Sequence, residues 1–338
     1  MTHPGEQFYP EGVHWDDPIA RGTLPDLLSE AARAYAARPV IEFRDRPISY
    51  AELEGLVEAA AAAYLRAGYG RDTTVALFLG NTPDHPINFF GALKAGARLV
   101  HLSPLDGEIA LSHKLSDSGA HVLVTSNLAA LLPTALKVLD KGLIDRLIVC
   151  EDDHWGKVGT PQTPLPDNPA IITFRQFADG AVKPAAWPKV SAADVALLQY
   201  TGGTTGLPKG AMLSHGNLTS AVSIYDVWGR PAREKRNAIE RVICVLPLFH
   251  IYALTVVMLS SIRHGNLISL HQRFDVEAVM RDIEVKRATA FPGVPTMWIA
   301  IAALPDLDSA ICRRWRAAAP AARRCRWRSR ASSSARST

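Results

Sequence analysis

The sequence has no apolar run long enough to cross a membrane. Its longest candidate, residues 251–259, has the length of a buried core helix, whereas a membrane-spanning helix needs about 18 or more apolar residues. The first residues also lack a basic start followed by an apolar stretch, so no signal peptide is expected. These absences argue against an integral membrane protein and make a cytoplasmic location the default expectation.

Cysteine is scarce and scattered. The four cysteines form no CxxC pair, and they lie at Cys150, Cys244, Cys312 and Cys325. Neither a zinc site nor a disulfide framework is therefore expected. The histidines form no i, i+4 pair with a carboxylate in a metal-ligand context, so the sequence predicts no dedicated metal site.

Acidic residues are missing from the end of the sequence. Residues 313–338 contain nine arginines and no acid, which leaves 28 basic against 33 acidic residues in the remainder. Although the formal net charge of the chain is +4, residues 1–312 are therefore mildly acidic. An acidic net charge in this part of the chain argues against nucleic-acid binding by the fold itself.

The sequence does contain a regular alternation of apolar strands and helices. One helix is marked by a capping box at Ser49 and Glu52 and by a left-handed cap at Gly68, while residues 151–190, with six prolines, read as a long connection. Near-continuous apolar strands separated by single helices are typical of parallel sheets covered on both faces. We therefore predict an α/β fold with doubly wound, mostly parallel sheets flanked by helices. The predicted strands are residues 74–79, 97–103, 121–126, 146–150, 195–200, 241–247, 266–270 and 288–291.

A stretch rich in glycine and threonine follows one of these strands. "YTGGTTGLPKG" (residues 200–210) comes after the strand at residues 195–200, and a helix is expected to begin near Ser214. Ligands of open α/β sheets bind beyond the carboxyl ends of strands, and glycine loops can turn backbone N–H groups towards an anion. Lys209 adds a positive charge, so the stretch predicts a polyphosphate cradle, with an ordinary mobile turn as the alternative. It is not a Walker A loop, because Lys209 follows Pro208 and the hydroxyls precede the lysine.

The longer stretch "YTGGTTGLPKGAMLSHGNL" resembles the signature loop of the adenylate-forming enzymes, the superfamily of acyl-CoA synthetases, luciferases and peptide-synthetase adenylation domains. "VLPLFHIYAL" (residues 245–254) is similar to the next core motif, and "FPGVPTMW" (residues 291–298) to the segment that lines the acyl pocket. The resemblance covers residues 10–308 and is nearest to medium- and long-chain fatty acid or dicarboxylic acid–CoA ligases. It implies the N-terminal domain of that fold, in incomplete form.

The resemblance also implies a reaction and its residues. A carboxylic acid, with a fatty acid expected, attacks the α-phosphate of ATP, the thiol of CoA then displaces AMP, and Mg²⁺ bridges phosphate oxygens. His250 is implied to lie beside the reacting carboxylate, with a buried core histidine as the alternative, and Lys209 is implied to assist the phosphates. His215 is interpreted as a first-turn helix residue, and Met297 and Trp298 as either core or pocket wall. The residues implied to hold the β- and γ-phosphates are Thr201, Gly202, Gly203, Thr204, Thr205 and Gly206.

The family pattern is not found after residue 308. We therefore expect an incomplete AMP-binding domain at residues 1–308 and an arginine-rich, disordered tail at residues 309–338. Codons for residues 321–329, read in a shifted frame, permit Gly-Ala-Pro-Leu-Pro-Val-Glu-Val, the segment that the family has at this point, so a frameshift between about residues 307 and 313 is the favoured explanation. We expect a gene for an acid–CoA ligase whose truncated product, the chain as given, is inactive. Three hypotheses for this chain stay open: an active ligase, a non-catalytic ATP- or AMP-binding fragment, and a nucleic-acid binder acting through the arginine tail.

Overall fold

The computed structural model describes residues 3–156, 159–201, 207–236 and 238–304. The strands in these ranges are β1 (Pro39–Phe43), β2 (Arg46–Ser49), β3 (Thr74–Leu77), β4 (Arg98–His101), β5 (Val122–Ser126), β6 (Arg146–Cys150), β7 (Ile171–Thr173), β8 (Val195–Thr201), β9 (Lys209–Ser214), β10 (Arg241–Cys244) and β11 (Leu267–Leu270). The helices are α1 (Leu24–Tyr35), α2 (Tyr50–Arg66), α3 (Asp84–Lys94), α4 (Glu108–Ser118), α5 (Leu132–Asp140), α6 (Phe174–Ala178), α7 (His215–Arg236), α8 (Ser260–Arg263), α9 (Val276–Glu284) and α10 (Pro295–Ala302). A π-helix, Ala253–Leu259, leads directly into α8, and 3-10 helices cover Glu6–Phe8 and Asp152–Trp155.

Two sheets organise the described part of the chain. A seven-stranded sheet has the order β7-β6-β5-β3-β4-β8-β9, and a four-stranded sheet has the order β10-β11-β1-β2. Neighbouring strands run parallel except in the β8–β9 and β1–β2 pairs, which are antiparallel. Mostly parallel sheets flanked by helices confirm the predicted α/β fold.

Helices cover both faces of the seven-stranded sheet because its central strands are apolar on both sides. Val75 and Leu77 of β3 lie in one core with residues of α1, α2 and α3. Ala76, between them, lies in a second core with residues of α4 and α5. A parallel strand buried on both faces needs a continuous apolar run, which is why such runs predict these strands correctly.

Both ends of α2 follow the sequence signals. The Ser49 side chain accepts a hydrogen bond from the backbone N–H of Glu52 at 3.1 Å, which satisfies a donor at the start of the helix. Gly68 follows the helix with φ +80°, a conformation that strains any residue with a Cβ atom. The left-handed glycine and the Ser49 half of the predicted capping box are therefore confirmed, whereas the Glu52 carboxylate lies 3.5 Å from the guanidinium of Arg46 and does not complete the box.

Three details of the predicted layout are wrong. A strand that was not predicted, β9, lies between the glycine-rich stretch and α7, although α7 itself begins at His215, next to the predicted start near Ser214. The predicted connection at residues 151–190 carries β7 and α6. Residues 288–291 contribute an isolated bridge from Ala290 to Val242 instead of a strand.

The crossing of α2 and α3 depends on a glycine. A Cβ atom on Gly91 of α3 would lie 2.7 Å from the Cβ atom of Ala60 in α2. We expect Gly91→Ala to lower the free energy of unfolding by about 1–3 kcal/mol, because the helices must separate to admit the methyl group. Gly55→Ala is the control, since Gly55 is exposed in α2 with open space around it, and alanine there should raise stability by about 0.5–1 kcal/mol. Urea denaturation of both variants measures the difference, and equal stabilities would contradict the packing argument.

Candidate functional site

The carboxyl ends of β3, β4 and β8 lie at the same edge of the seven-stranded sheet, since these strands are parallel neighbours. The glycine-rich stretch leaves the sheet at this edge, after Thr201. Thr201 pairs with Lys209 in the antiparallel β8–β9 register, and both residues are exposed. Lys209 is therefore the first residue of a strand, which corrects its placement in the loop. Gly202, Gly203, Thr204, Thr205 and Gly206 lie outside the described residues, and so does the predicted tail.

The base of this hairpin is held by contacts on both strands. The His113 Nε2–H group donates to the carbonyl oxygen of Pro208 at 3.0 Å. The hydroxyl of Tyr200 donates to the carboxylate of Asp117, and burial is the main reason that the pKa of Tyr200 is raised. A Cβ atom on Gly210 would lie 3.1 Å from the Tyr200 ring, so glycine lets the two strands close over that ring. The sheet thus fixes where the loop begins and ends.

A second segment reaches the same edge from the four-stranded sheet. Residues 245–250, which follow β10, are tied to the end of β3 by Asn81. The Asn81 side-chain amide donates to the carbonyl oxygen of Leu246 at 3.0 Å and accepts from the backbone N–H of Leu248 at 2.9 Å. Gln199 of β8 donates through Nε2 to the carbonyl oxygen of Phe249 at 3.2 Å. We call residues 246–250 the junction turn, because they connect the carboxyl end of β10 in the four-stranded sheet to the carboxyl ends of strands in the seven-stranded sheet.

His250 ends the junction turn with an exposed side chain. Its Nδ1 accepts a hydrogen bond from the backbone N–H of Tyr252 at 3.2 Å, and its carbonyl oxygen accepts from Leu254 at 3.0 Å. A neutral imidazole whose Nδ1 accepts carries its proton on Nε2, so Nε2 can donate to an anionic oxygen. The π-helix that follows, Ala253–Leu259, is a rare form that is frequently found at functional sites.

Other residues singled out in the sequence have different surroundings. His215 begins α7 and is buried, and its Nδ1 accepts from the backbone N–H of Leu24 at 3.2 Å. Burial lowers the pKa of His215 to about 4. This agrees with its interpretation as a first-turn helix residue. In α10, Met297 packs against a small core, whereas Trp298 is 38% exposed and its ring contacts Phe291.

Sequence reasoning missed Asn81 and Gln199, the two amides that hold the junction turn. Asn81 is 4% exposed although it is polar, and Gln199 lies within a strand whose neighbours are apolar. A buried amide at the end of an apolar strand needs hydrogen-bond partners, so this position was the available signal. The partners lie far along the chain and could not be identified from the sequence.

Two cavities in the described part of the chain lie away from this edge. One, of about 390 Å³, is lined by residues of α1, α2 and the 183–190 segment, and the other, of about 250 Å³, lies beside β1, β11 and α9. Thr201, Lys209 and His250 line neither of them.

Within the described ranges, no three His, Cys, Asp or Glu side chains are grouped to hold a metal ion. The described helices include none that is both long and apolar enough to span a membrane.

A comparison with known sequence families shows what kind of protein this chain is. The family model for AMP-binding enzymes matches residues 28–331 of the chain. The chain belongs to the AMP-binding enzyme family. Among the curated relatives of this AMP-binding enzyme, a long-chain-fatty-acid–CoA ligase of Bacillus subtilis is 30% identical over 315 residues, which is 89% of this chain and 55% of the relative. A 4-coumarate:CoA ligase of Petunia hybrida is 30% identical over 307 residues, which is 87% of this chain and 53% of the relative.

Solved structures show the same fold. A long-chain-fatty-acid–CoA ligase from Archaeoglobus fulgidus matches with a TM-score of 0.69 at 23% identity, over 87% of this AMP-binding enzyme and 55% of that chain. An anthranilate–CoA ligase in complex with anthranoyl-AMP matches with a TM-score of 0.71 at 19% identity, over 86% of this chain and 53% of that one. The chain thus spans about half the length of the curated relatives that it matches.

Proposed function

We propose that this AMP-binding enzyme is an acid–CoA ligase that activates a carboxylic acid, with a fatty acid as the favoured substrate. One observation carries the proposal: the β8–β9 hairpin and the junction turn meet at one sheet edge. Thr201 and Lys209 border the glycine-rich loop there, and Gln199 connects β8 to Phe249, the neighbour of His250. A stretch whose composition suits phosphates, bordered by residues at the sheet edge that also carries an exposed imidazole, suits a reaction between ATP and a carboxylate.

In the proposed reaction, a carboxylate oxygen forms a bond to the α-phosphorus of ATP. The bond from that phosphorus to the bridging oxygen of the β-phosphate breaks, so pyrophosphate leaves and an acyl-adenylate remains. Both reactants are anions, so neutralisation of charge and positioning must supply most of the catalysis. We assign Lys209, with the hydroxyls of Thr201, Thr204 and Thr205, to the β- and γ-phosphates. His250 donates its Nε2–H to a carboxylate oxygen.

The proposed cofactors are Mg²⁺ and CoA. Residues 200–210 contain one lysine, three threonines and no acid, so this stretch fits a triphosphate that carries its own Mg²⁺. The thiol of CoA then attacks the acyl carbonyl carbon, AMP leaves, and a thioester forms.

We also propose a cytoplasmic location, and a tail at residues 309–338 that results from a shifted reading frame. Resequencing of the gene across codons 300–338 tests the frame.

The function is tested with the enzyme encoded after the reading frame is restored between residues 307 and 313, here called the frame-restored enzyme. It is expected to exchange pyrophosphate into ATP only when a carboxylic acid is present. Fatty acids of several chain lengths and 4-coumarate should be compared at equal concentration, and fatty acids are expected to give the higher kcat/KM.

Each alternative predicts a different result, the first for the frame-restored enzyme and the second for the 338-residue chain. ATP binding without exchange, for every acid tested, would identify a non-catalytic nucleotide-binding protein. Salt-sensitive retention of the 338-residue chain on DNA or RNA, without ATP binding, would favour the arginine tail as the active feature.

A further inference from the structure

A cluster of buried polar side chains lies next to the junction turn. His85 is 0% and His101 is 2% exposed, and the centres of their rings are 5.0 Å apart. His101 ends β4 and lies opposite Gln199 in the parallel register of β4 and β8. The cluster is outside the set of residues that we assign to ATP or to the acid.

These side chains have buried polar atoms without partners. Within the described residues, neither ring nitrogen of His85 or His101 makes a hydrogen bond, and Oε1 of Gln199 makes none. Burial lowers the pKa of His101 to about 4, and Gln199 and the carbonyl group of Phe249 oppose that shift. His101 is therefore neutral at physiological pH, with one N–H group for an acceptor such as Oε1 of Gln199. Buried polar atoms are rarely left unpaired without a functional or structural reason.

Gln199 contacts one part of the junction turn. Asn81 holds the backbone at Leu246 and Leu248, but the carbonyl group of Phe249 is held by Nε2 of Gln199 at 3.2 Å. Phe249 directly precedes His250. The amide of Gln199 can donate to Phe249 only while its oxygen faces away from that carbonyl group.

We propose that Gln199 is a positioning residue for His250, acting through the Phe249 carbonyl group, and that His101 fixes the orientation of the Gln199 amide. The inference rests on the proposed function, because it gives His250 the carboxylate to contact. It also assigns a role to the seven-stranded sheet: side chains of β4 and β8 set the position of the His250 imidazole, which follows β10 of the four-stranded sheet.

The first experiment measures backbone motion in the 338-residue chain without substrate. Gln199→Met keeps the length of the side chain and removes the amide. Hydrogen exchange is expected to become about tenfold faster at the N–H groups of Tyr252 and Leu254, which donate to Nδ1 and the carbonyl oxygen of His250. Gln176→Met in α6 is the control, since Gln176 also uses its amide for hydrogen bonds but lies in a different part of the chain. Unchanged exchange at Tyr252 and Leu254 would overturn the proposal.

A second variant covers the case in which Gln199→Met does not fold. Gln199→Asn keeps the amide but withdraws it by one methylene group, so it should give the same local acceleration. Because this measurement needs no substrate, it stands even if the proposed ligase function is wrong.

The second experiment separates positioning from general damage in the frame-restored enzyme. Gln199→Met should lower kcat at saturating acid by about tenfold and leave KM for ATP within about twofold. In a His250→Ala background the same substitution should have little further effect, because it acts through His250. Additive losses in the double variant, or a rise in KM for ATP instead of a fall in kcat, would overturn the proposal.

Discussion

Lys209→Ala in the frame-restored enzyme is expected to lower kcat/KM for ATP by about 10²–10³-fold. The reason is the loss of a positive charge that β9 holds next to the phosphate loop. Removal of one preorganised charge contact from a catalytic site typically lowers the rate by that factor. Lys209 is exposed and pairs with Thr201 at the loop end of the hairpin, so its removal should leave the melting temperature nearly unchanged. Initial rates of exchange at sub-saturating ATP give the ratio.

Two further variants test whether the loss of activity in Lys209→Ala depends on where Lys209 lies. Lys189→Ala removes another exposed lysine, away from the loop, and should leave kcat/KM for ATP within about twofold. Thr204→Ala should weaken ATP use by about tenfold, since one hydrogen bond to a charged group is lost. Normal rates in both Lys209→Ala and Thr204→Ala would show that the loop does not bind the phosphates.

His250→Ala should impair use of the carboxylic acid by about 10²-fold or more while ATP binding stays close to that of the wild type. The imidazole donates from Nε2 because Nδ1 is occupied by the backbone N–H of Tyr252, so alanine removes the donor expected to meet the carboxylate. The measurement is kcat/KM for the acid at saturating ATP, together with the dissociation constant of ATP.

The matched control for His250 is His121, another exposed histidine. His121 lies just before β5, at the amino end of the strand, and so at the edge of the sheet opposite to the junction turn. His121→Ala should change neither parameter by more than about twofold. If ATP binding collapsed in His250→Ala while the dependence on acid stayed normal, His250 would be a structural residue.

The sequence predicted the central parallel strands because each is apolar on both faces, but it missed β1 and β7, which also have parallel partners. β3, β5 and β6 appear as short apolar runs between helices, and the structure buries almost every residue in them. The prediction failed for β9, whose six residues are all exposed or half-buried at the sheet edge. An edge strand of this kind has no continuous apolar run, and nothing in its composition indicates that it pairs with β8.

The candidate site was predictable in part, and for a different reason. Thr201, Lys209 and His250 stand within short motifs, so their types and spacing could be recognised from the chain alone. Asn81 and Gln199 act through side-chain bonds to Leu248 and Phe249, residues distant in the sequence, and no local pattern encodes such partners. The roles of Gly202 to Gly206 stay predictions, because those residues lie outside the described ranges.

The central claim is that the loop between β8 and β9 binds the phosphates of ATP, and protection of Lys209 tests it most directly. The 338-residue chain is treated with an amine-acylating reagent, with and without magnesium ATP, and the modification of each lysine is followed by mass spectrometry. The account predicts that ATP slows modification of Lys209 by about tenfold or more and leaves exposed Lys189 unchanged. Measurable ATP binding without any protection of Lys209 would contradict it.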